Sequence, residues 1–149
     1  MTNSLRERAL RLLARREHAR AELARKLSAH SESAEELEAL LDDLSARHLL
    51  SDERYVEMRV NARSARYGNA RLAYELRTQG VPDELVGNAL ETCADELSRA
   101  HKVLLRKFGE QYAAHDATER ARQTRFLTSR GFSGETIRRV LRGDFEEDQ

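Results

Sequence analysis

The chain has 149 residues, with 26 basic and 26 acidic side chains, a formal net charge of zero, 5% aromatics, one proline, one cysteine and no tryptophan. A single cysteine excludes an intrachain disulfide framework, and no apolar run is long enough for a secretory leader or a membrane span. The composition is that of a charged helical protein with an aliphatic, alanine-rich core, and a cytoplasmic setting is expected.

The first helix is expected from Asn3 or Ser4, either of which can cap it, with Leu5, Ala9, Leu12 and Leu13 at helical spacing. A second helix over His18–Ala29 places Leu23 and Leu27 on one face. Ser33-Ala34-Glu35-Glu36 reads as a capping box opening a third helix, with Leu37, Leu40, Leu41 and Leu44 inward.

Ser51-Asp52-Glu53 then opens a helix whose face is marked by Tyr55, Met58 and Ala62, and Gly68-Asn69 breaks it. Leu72 and Leu76 define the next helix, which Gly80 ends. Pro82 suits the first turn of the following helix, with Leu85, Val86, Ala89 and Leu90 inward. Leu97, Leu104, Leu105 and Phe108 mark another helix, broken by Gly109. Residues 110–117 read as a polar loop. A helix from Thr118 to Arg130 is stopped by Gly131, and Ser133 caps a last helix with Ile137, Val140 and Leu141 inward. The acidic tail follows Gly143.

These elements repeat. Leu27, Leu76 and Leu127 are 49 and 51 residues apart, and the same offsets align Ser31, Gly80 and Gly131, then Ser33, Pro82 and Ser133, then Glu35, Glu84 and Glu135. Leu37, Val86 and Ile137 also align, as do Leu41, Leu90 and Leu141. A period of this length signals tandem helical units and an extended binding surface rather than one catalytic pocket. The expected fold is all-α: three tandem three-helix repeats in an elongated, curved array, at 1–50, 51–95 and 96–143, with an acidic tail at 144–149.

The zero net charge hides blocks of one sign. Residues 1–30 hold 8 basic and 3 acidic groups, whereas residues 31–60 hold 3 basic and 9 acidic. The candidate binding residues are the basic groups attributed to the second helices: Arg20, Arg25 and Lys26; Arg66, Arg71 and Arg77; Arg120, Arg122, Arg125 and Arg130. Matched columns pair Arg71 with Arg122. A repeated basic face can meet an acidic surface or phosphates. Tyr67 and Tyr74 could stack on bases, but packing with a wet hydroxyl is the reading preferred for both.

The five histidines lack metal-ligand spacing, there is no phosphate-cradling glycine loop, and no nucleophile–base–acid set can be argued from position. No catalytic residue, metal or cofactor is assigned, and the chain is not expected to be an enzyme.

Several blocks resemble those of the RecX family, in order and spacing over nearly the whole chain. They are Arg16-Glu17-His18-Ala19-Arg20-Ala21-Glu22-Leu23 with Lys26-Leu27, then Leu50-Ser51-Asp52-Glu53-Arg54-Tyr55. Tyr67-Gly68-Asn69-Ala70-Arg71-Leu72 follows, with Glu75-Leu76-Arg77 and Gly80-Val81, and finally Arg125-Phe126-Leu127 with Arg130-Gly131-Phe132-Ser133. One departure is Ala19, where the family often has a serine, so a cap for the second helix must come from elsewhere. The resemblance implies a monomeric, non-enzymatic negative regulator of the recombinase RecA in DNA repair. It would bind the groove of the RecA filament on single-stranded DNA, inhibit ATP hydrolysis and strand exchange, and limit filament growth, with weak direct DNA binding as an accessory. A helix-turn-helix-like DNA-binding module and a helical adaptor for another protein are the alternatives.

Overall fold

The computed structural model describes residues 4–110, 112 and 116–144. Among the described residues there are nine α-helices and no strand. They fall in threes along the chain: α1 (Leu5–Arg15), α2 (Arg20–Leu27) and α3 (Ala34–Ala46); α4 (Asp52–Arg63), α5 (Asn69–Thr78) and α6 (Asp83–Thr92); α7 (Glu96–Phe108), α8 (Ala117–Ser129) and α9 (Gly134–Arg142).

Most helices begin at a side chain able to accept an orphan N–H. Ser4 Oγ accepts from Glu7 N–H at 3.1 Å, Ser33 Oγ from Glu36 N–H at 3.1 Å, and Ser51 Oγ from Arg54 N–H at 3.2 Å. Asp95, Asp116 and Ser133 do the same for α7, α8 and α9. Asn3, the alternative first cap, lies outside the described residues, as do residues 111, 113–115 and the tail beyond Asp144.

The described residues pack as two units. In Met1–Arg59 with Leu76–Gly87, the core is Leu5, Ala9, Leu23, Leu27, Leu40, Leu41, Leu44 and Leu50. In Val60–Glu75 with Asn88–Gln149, it is Leu97, Ala100, Val103, Leu104, Tyr112, Leu127, Phe132, Ile137 and Val140. Leu27, Leu76 and Leu127, the recurring leucines of the sequence, are 1%, 1% and 0% exposed, so all three are core residues.

Several expectations change in detail. Leucine rather than alanine fills the core: among the described residues the buried alanines are Ala9, Ala19, Ala73 and Ala100. The second helix starts at Arg20, two residues later than expected, because Ala19 is extended. It ends at Leu27 and passes into a short 3-10 turn, Ser28–His30. Ser31 has no left-handed twist, whereas Gly80 and Gly131, its counterparts, sit at φ 83° and 86°. Only glycine takes that conformation without cost, so the first repeat leaves its second helix by a different route.

On α4, Tyr55 is buried and Met58 half-buried as expected, but Ala62 is exposed and Val56 and Val60 complete the buried face. The Ser33 box is half formed: the Glu36 carboxylate accepts from Glu32 N–H at 2.8 Å, one residue upstream of the cap. In the segment read as a polar loop, Tyr112 is 4% exposed and belongs to the core. Its hydroxyl lies 2.7 Å from His101 Nδ1, and burial pushes its pKa up to about 12.

The missing serine at Ala19 is answered across the chain. Asp52 Oδ1 accepts from Arg20 N–H at 2.8 Å, and Glu22 accepts from Ala19 N–H at 3.3 Å. The first residue of α4 thus caps α2. The same device recurs at α7, where Glu96 Oε2 accepts from Asn69 N–H, at the start of α5, at 2.6 Å.

Candidate functional site

The basic residues attributed to the second helices do not form one uniform face. Arg20 is bound inside its own repeat: its Nη2 donates to Glu38 at 2.5 Å and to Asp42 at 2.7 Å. Burial opposes its charge, but those two carboxylates outweigh it and raise its pKa. Arg25 donates to Gln79 Oε1 at 2.5 Å, and Arg77 to Asp83 at 3.0 Å. Lys26 Nζ lies 3.0 Å from His18 Nε2 and 3.6 Å from Glu22.

Lys26 also lines a basic cleft of about 350 Å³ with Arg8, Arg11, Arg15, His30, Leu12 and Leu27, and among the described residues no carboxylate lines it. Arg8, Arg11 and Arg15 follow one another at helical spacing on α1, so one face of that helix is basic while Leu5 and Ala9 are buried. Those three arginines lie outside the set expected from the sequence, which holds only groups that the sequence attributes to the second helices. Their signal is the basic block at residues 1–30, taken together with their spacing of three and four residues.

In the second unit, Tyr67 gathers three arginines. The guanidinium carbons of Arg63, Arg71 and Arg130 lie 4.4, 4.5 and 5.3 Å from its ring centroid, within cation–π range. Arg63 also makes a two-pronged pair with Glu75, both bonds 2.7 Å, which raises its pKa against the opposing effect of burial. Arg71 donates more weakly to the same carboxylate, at 3.4 Å. Tyr67 therefore packs, as expected, but its neighbours are cations. Tyr74 departs from expectation: it is 71% exposed.

Arg71 has a further structural role. A Cβ built on Gly131 would lie 2.4 Å from Arg71 Cβ and 2.7 Å from its backbone N. The two turns are also bonded, Gly68 N–H to Arg130 C=O at 2.8 Å and Ala70 N–H to Gly131 C=O at 3.2 Å. The first unit repeats this approach, where a Cβ on Gly80 would meet Ala21 Cβ at 2.4 Å.

Arg66 lies in the turn before α5, and Arg130 just past the end of α8, so neither is on a second helix. The turn carrying Arg66 is held by its carbonyls. Buried Arg99, 4% exposed, donates to Ser64 C=O at 2.8 Å and Tyr67 C=O at 2.5 Å, and Arg106 donates to Ala65 C=O. Arg99 also reaches Asn69 Oδ1 at 2.6 Å and Ala94 C=O at 3.2 Å. Arg99 is not legible in the sequence, since nothing local distinguishes a buried arginine from a solvated one. Arg122 lies over Phe108 and 3.8 Å from Glu119. Among the described residues, the side chains of Arg66, Arg120, Arg125 and Arg130 have no hydrogen-bond acceptor or ion pair.

Among the described residues, no group of three or more His, Cys, Asp or Glu is placed to hold a metal ion, and no helix is long and apolar enough to cross a membrane.

Fold and site together define a tandem three-helix protein with basic clefts. Residues 51–90 match the second three-helix domain of RecX and residues 94–141 the third. The chain is 50% identical over 147 residues to the regulatory protein RecX of Leptothrix cholodnii, covering 97% of this chain and 92% of the relative. It is 45% identical to that of Herminiimonas arsenicoxydans, over 97% of this chain and 95% of the relative. The crystal structure of RecX from Lactobacillus salivarius superposes with a TM-score of 0.80 at 17% identity, covering 93% of each chain, a likeness of fold. The chain belongs to the RecX family of regulatory proteins.

Proposed function

We propose that this chain is a negative regulator of RecA. It binds the groove of the RecA filament on single-stranded DNA, slows ATP hydrolysis and strand exchange, and limits filament growth. It acts by occupancy rather than by catalysis, as a monomer in the bacterial cytoplasm. The observation that carries this reading is the 50% identity to a regulatory protein RecX over 97% of the chain.

The charge distribution supports it. A regulator of a filament needs exposed charges not already satisfied within its own fold, and Arg66, Arg120 and Arg125 meet that condition among the described residues. The test is the DNA-dependent ATPase of RecA with increasing amounts of the full chain. Inhibition at or below equimolar ratio is the expected result. An unchanged ATPase rate across that range would reject the proposal.

A further inference from the structure

His18 is 2% exposed, and both nitrogens of its ring have partners. Nδ1 lies 3.1 Å from the Arg16 carbonyl, which can only accept, so in the neutral ring the hydrogen sits on Nδ1. Nε2 is then a bare lone pair, and the Lys26 ammonium donates to it at 3.0 Å. The tautomer is assigned from these two contacts. The charged groups that face the ring are Arg16, before α2, and Glu22 and Lys26, on α2. Tyr55 of α4 stands beside Arg16.

Lys26 has two places for its ammonium. Its side chain is 42% exposed and lines the cleft formed with Arg8, Arg11, Arg15 and His30. The cations of that cleft repel another ammonium, whereas the lone pair of His18 and the carboxylate of Glu22, 3.6 Å away, attract it. The inward position is therefore favoured for as long as His18 is neutral.

A proton on Nε2 reverses that preference. The acceptor becomes a positively charged donor facing a second positively charged donor, with no lone pair between them. One of the two must withdraw. The ring is buried and held at Nδ1, while Lys26 has a flexible stem with one side open. Glu22 stays behind as counter-charge, because Arg16 holds it at 2.6 and 3.1 Å and it also accepts from Ala19 N–H.

We infer that His18 is a proton-operated latch on Lys26. The neutral ring holds the ammonium inward through Nε2, and uptake of a proton there releases it into the cleft beside α1. Burial disfavours the charged ring and holds its pKa below 6.5, so the latch is closed at neutral pH and opens as pH falls through the depressed value. The cleft thereby becomes more cationic in acid. The latch is independent of what the chain binds.

The experiment is a nuclear magnetic resonance titration of the isotopically labelled full chain from about pH 8 to about pH 5. Long-range proton–nitrogen spectra read the histidine rings, and the Cε–Hε cross-peaks read the lysines. Lys26, Lys102 and Lys107 are the three lysines of the chain, so few signals need assignment. The neutral His18 ring is expected as the Nδ1–H tautomer. The Lys26 cross-peak should move with the midpoint of the His18 ring, and Lys102 and Lys107 should not share that step. Lys26→Met removes the facing cation and should raise the His18 midpoint by about half a unit or more. His18→Gln should abolish the Lys26 step, and Lys26→Met, at a half-exposed position, carries the test if that variant fails to fold. His30→Gln should leave the step in place, which separates the latch from the histidine of the cleft itself.

Four results would overturn the latch. One is a neutral His18 ring protonated on Nε2. Another is a Lys26 cross-peak that stays still through the His18 step or loses its movement in His30→Gln. A His18 midpoint unchanged or lowered in Lys26→Met is the third. The fourth is loss of helical circular dichroism with the same midpoint, which would mean that α2 opens rather than Lys26 alone moving.

Discussion

Glu96 and Asn69 are 27 residues apart in sequence, yet the Glu96 carboxylate accepts the Asn69 backbone N–H at 2.6 Å and so caps α5. The other oxygen of the same carboxylate takes Thr136 Oγ1 at 2.6 Å and Ser133 N–H at 3.3 Å, at the start of α9. One side chain thus serves two helix starts. Glu96→Ala is expected to lower stability by about 2 kcal/mol, the scale of one or two lost caps. The melting temperature followed by circular dichroism should fall by roughly 4–8 °C. A shift under about 1 °C would show that water replaces the carboxylate at little cost.

Gly131 has no room for a side chain and no freedom to make it. Its φ is 86°, and Arg71 Cβ stands 2.4 Å from where its own Cβ would be. Gly131→Val should cost about 3 kcal/mol or more, combining left-handed strain with displacement of the α5 start. Gly87, in α6, has nothing within 4 Å of a Cβ, so Gly87→Ala should add about 0.5–1 kcal/mol. Urea titrations of the two variants should therefore move in opposite directions.

Acid should weaken the fold through the His18 cluster. His18 is 2% exposed, and burial holds its pKa below 6.5 although the Arg16 carbonyl, 3.1 Å from Nδ1, favours a proton there. Nearby charges are Arg16, Glu22 and Lys26. The unfolded chain takes up a proton near 6.5 while the folded chain resists it. The His18 contribution is thus fully present above 6.5 and is lost as pH falls through the depressed folded value. Glu22 acts in the same sense at lower pH. Burial alone would raise its pKa, but the Arg16 hydrogen bonds, at 3.1 and 2.6 Å, outweigh it, so its contribution is lost below 4.5. The urea midpoint should be highest near neutral pH and decline between about pH 7 and 5, and His18→Gln should flatten that part of the curve.

The exposed arginines of α8 are the better test of partner binding. Arg71 packs on Tyr67 and pairs with Glu75, so Arg71→Glu would damage the fold as well as any interface. Arg120 and Arg125 have no acceptor among the described residues. Arg120→Glu with Arg125→Glu should raise the concentration needed to inhibit RecA roughly fivefold or more. The melting temperature should move by less than about 2 °C. Unaltered inhibition would place the contact surface elsewhere.

Much of the candidate site is hidden in the sequence because charge pairing is not written in sequence distance. Arg20 and Arg125 look equivalent as helix-surface arginines, but Arg20 is bound by Glu38 and Asp42 from α3, while Arg125 is not paired among the described residues. The unused donors of Arg130 depend on the rings of Tyr67 and Phe126, 63 and 4 residues away in sequence. The basic face of α1 is present in the spacing of Arg8, Arg11 and Arg15, yet only the placement of Lys26 and His30 beside it makes a cleft.

The helical class, the repeated leucines and most helix starts are legible along the chain, because they follow from apolar period, caps and glycine stops acting over a few residues; α2 and the end of α4 at Arg63, five residues before Gly68, are the exceptions. Three-dimensional packing was needed to show that Asp52 replaces the absent serine cap at Ala19 and that Arg99 clasps the turn before α5. Packing also brings Tyr112 into the core and leaves certain arginines with unused donors. The difference is one of range. Backbone conformation is set by neighbours along the chain, whereas the worth of a charge or a buried polar group is set by whatever the fold brings within hydrogen-bond distance.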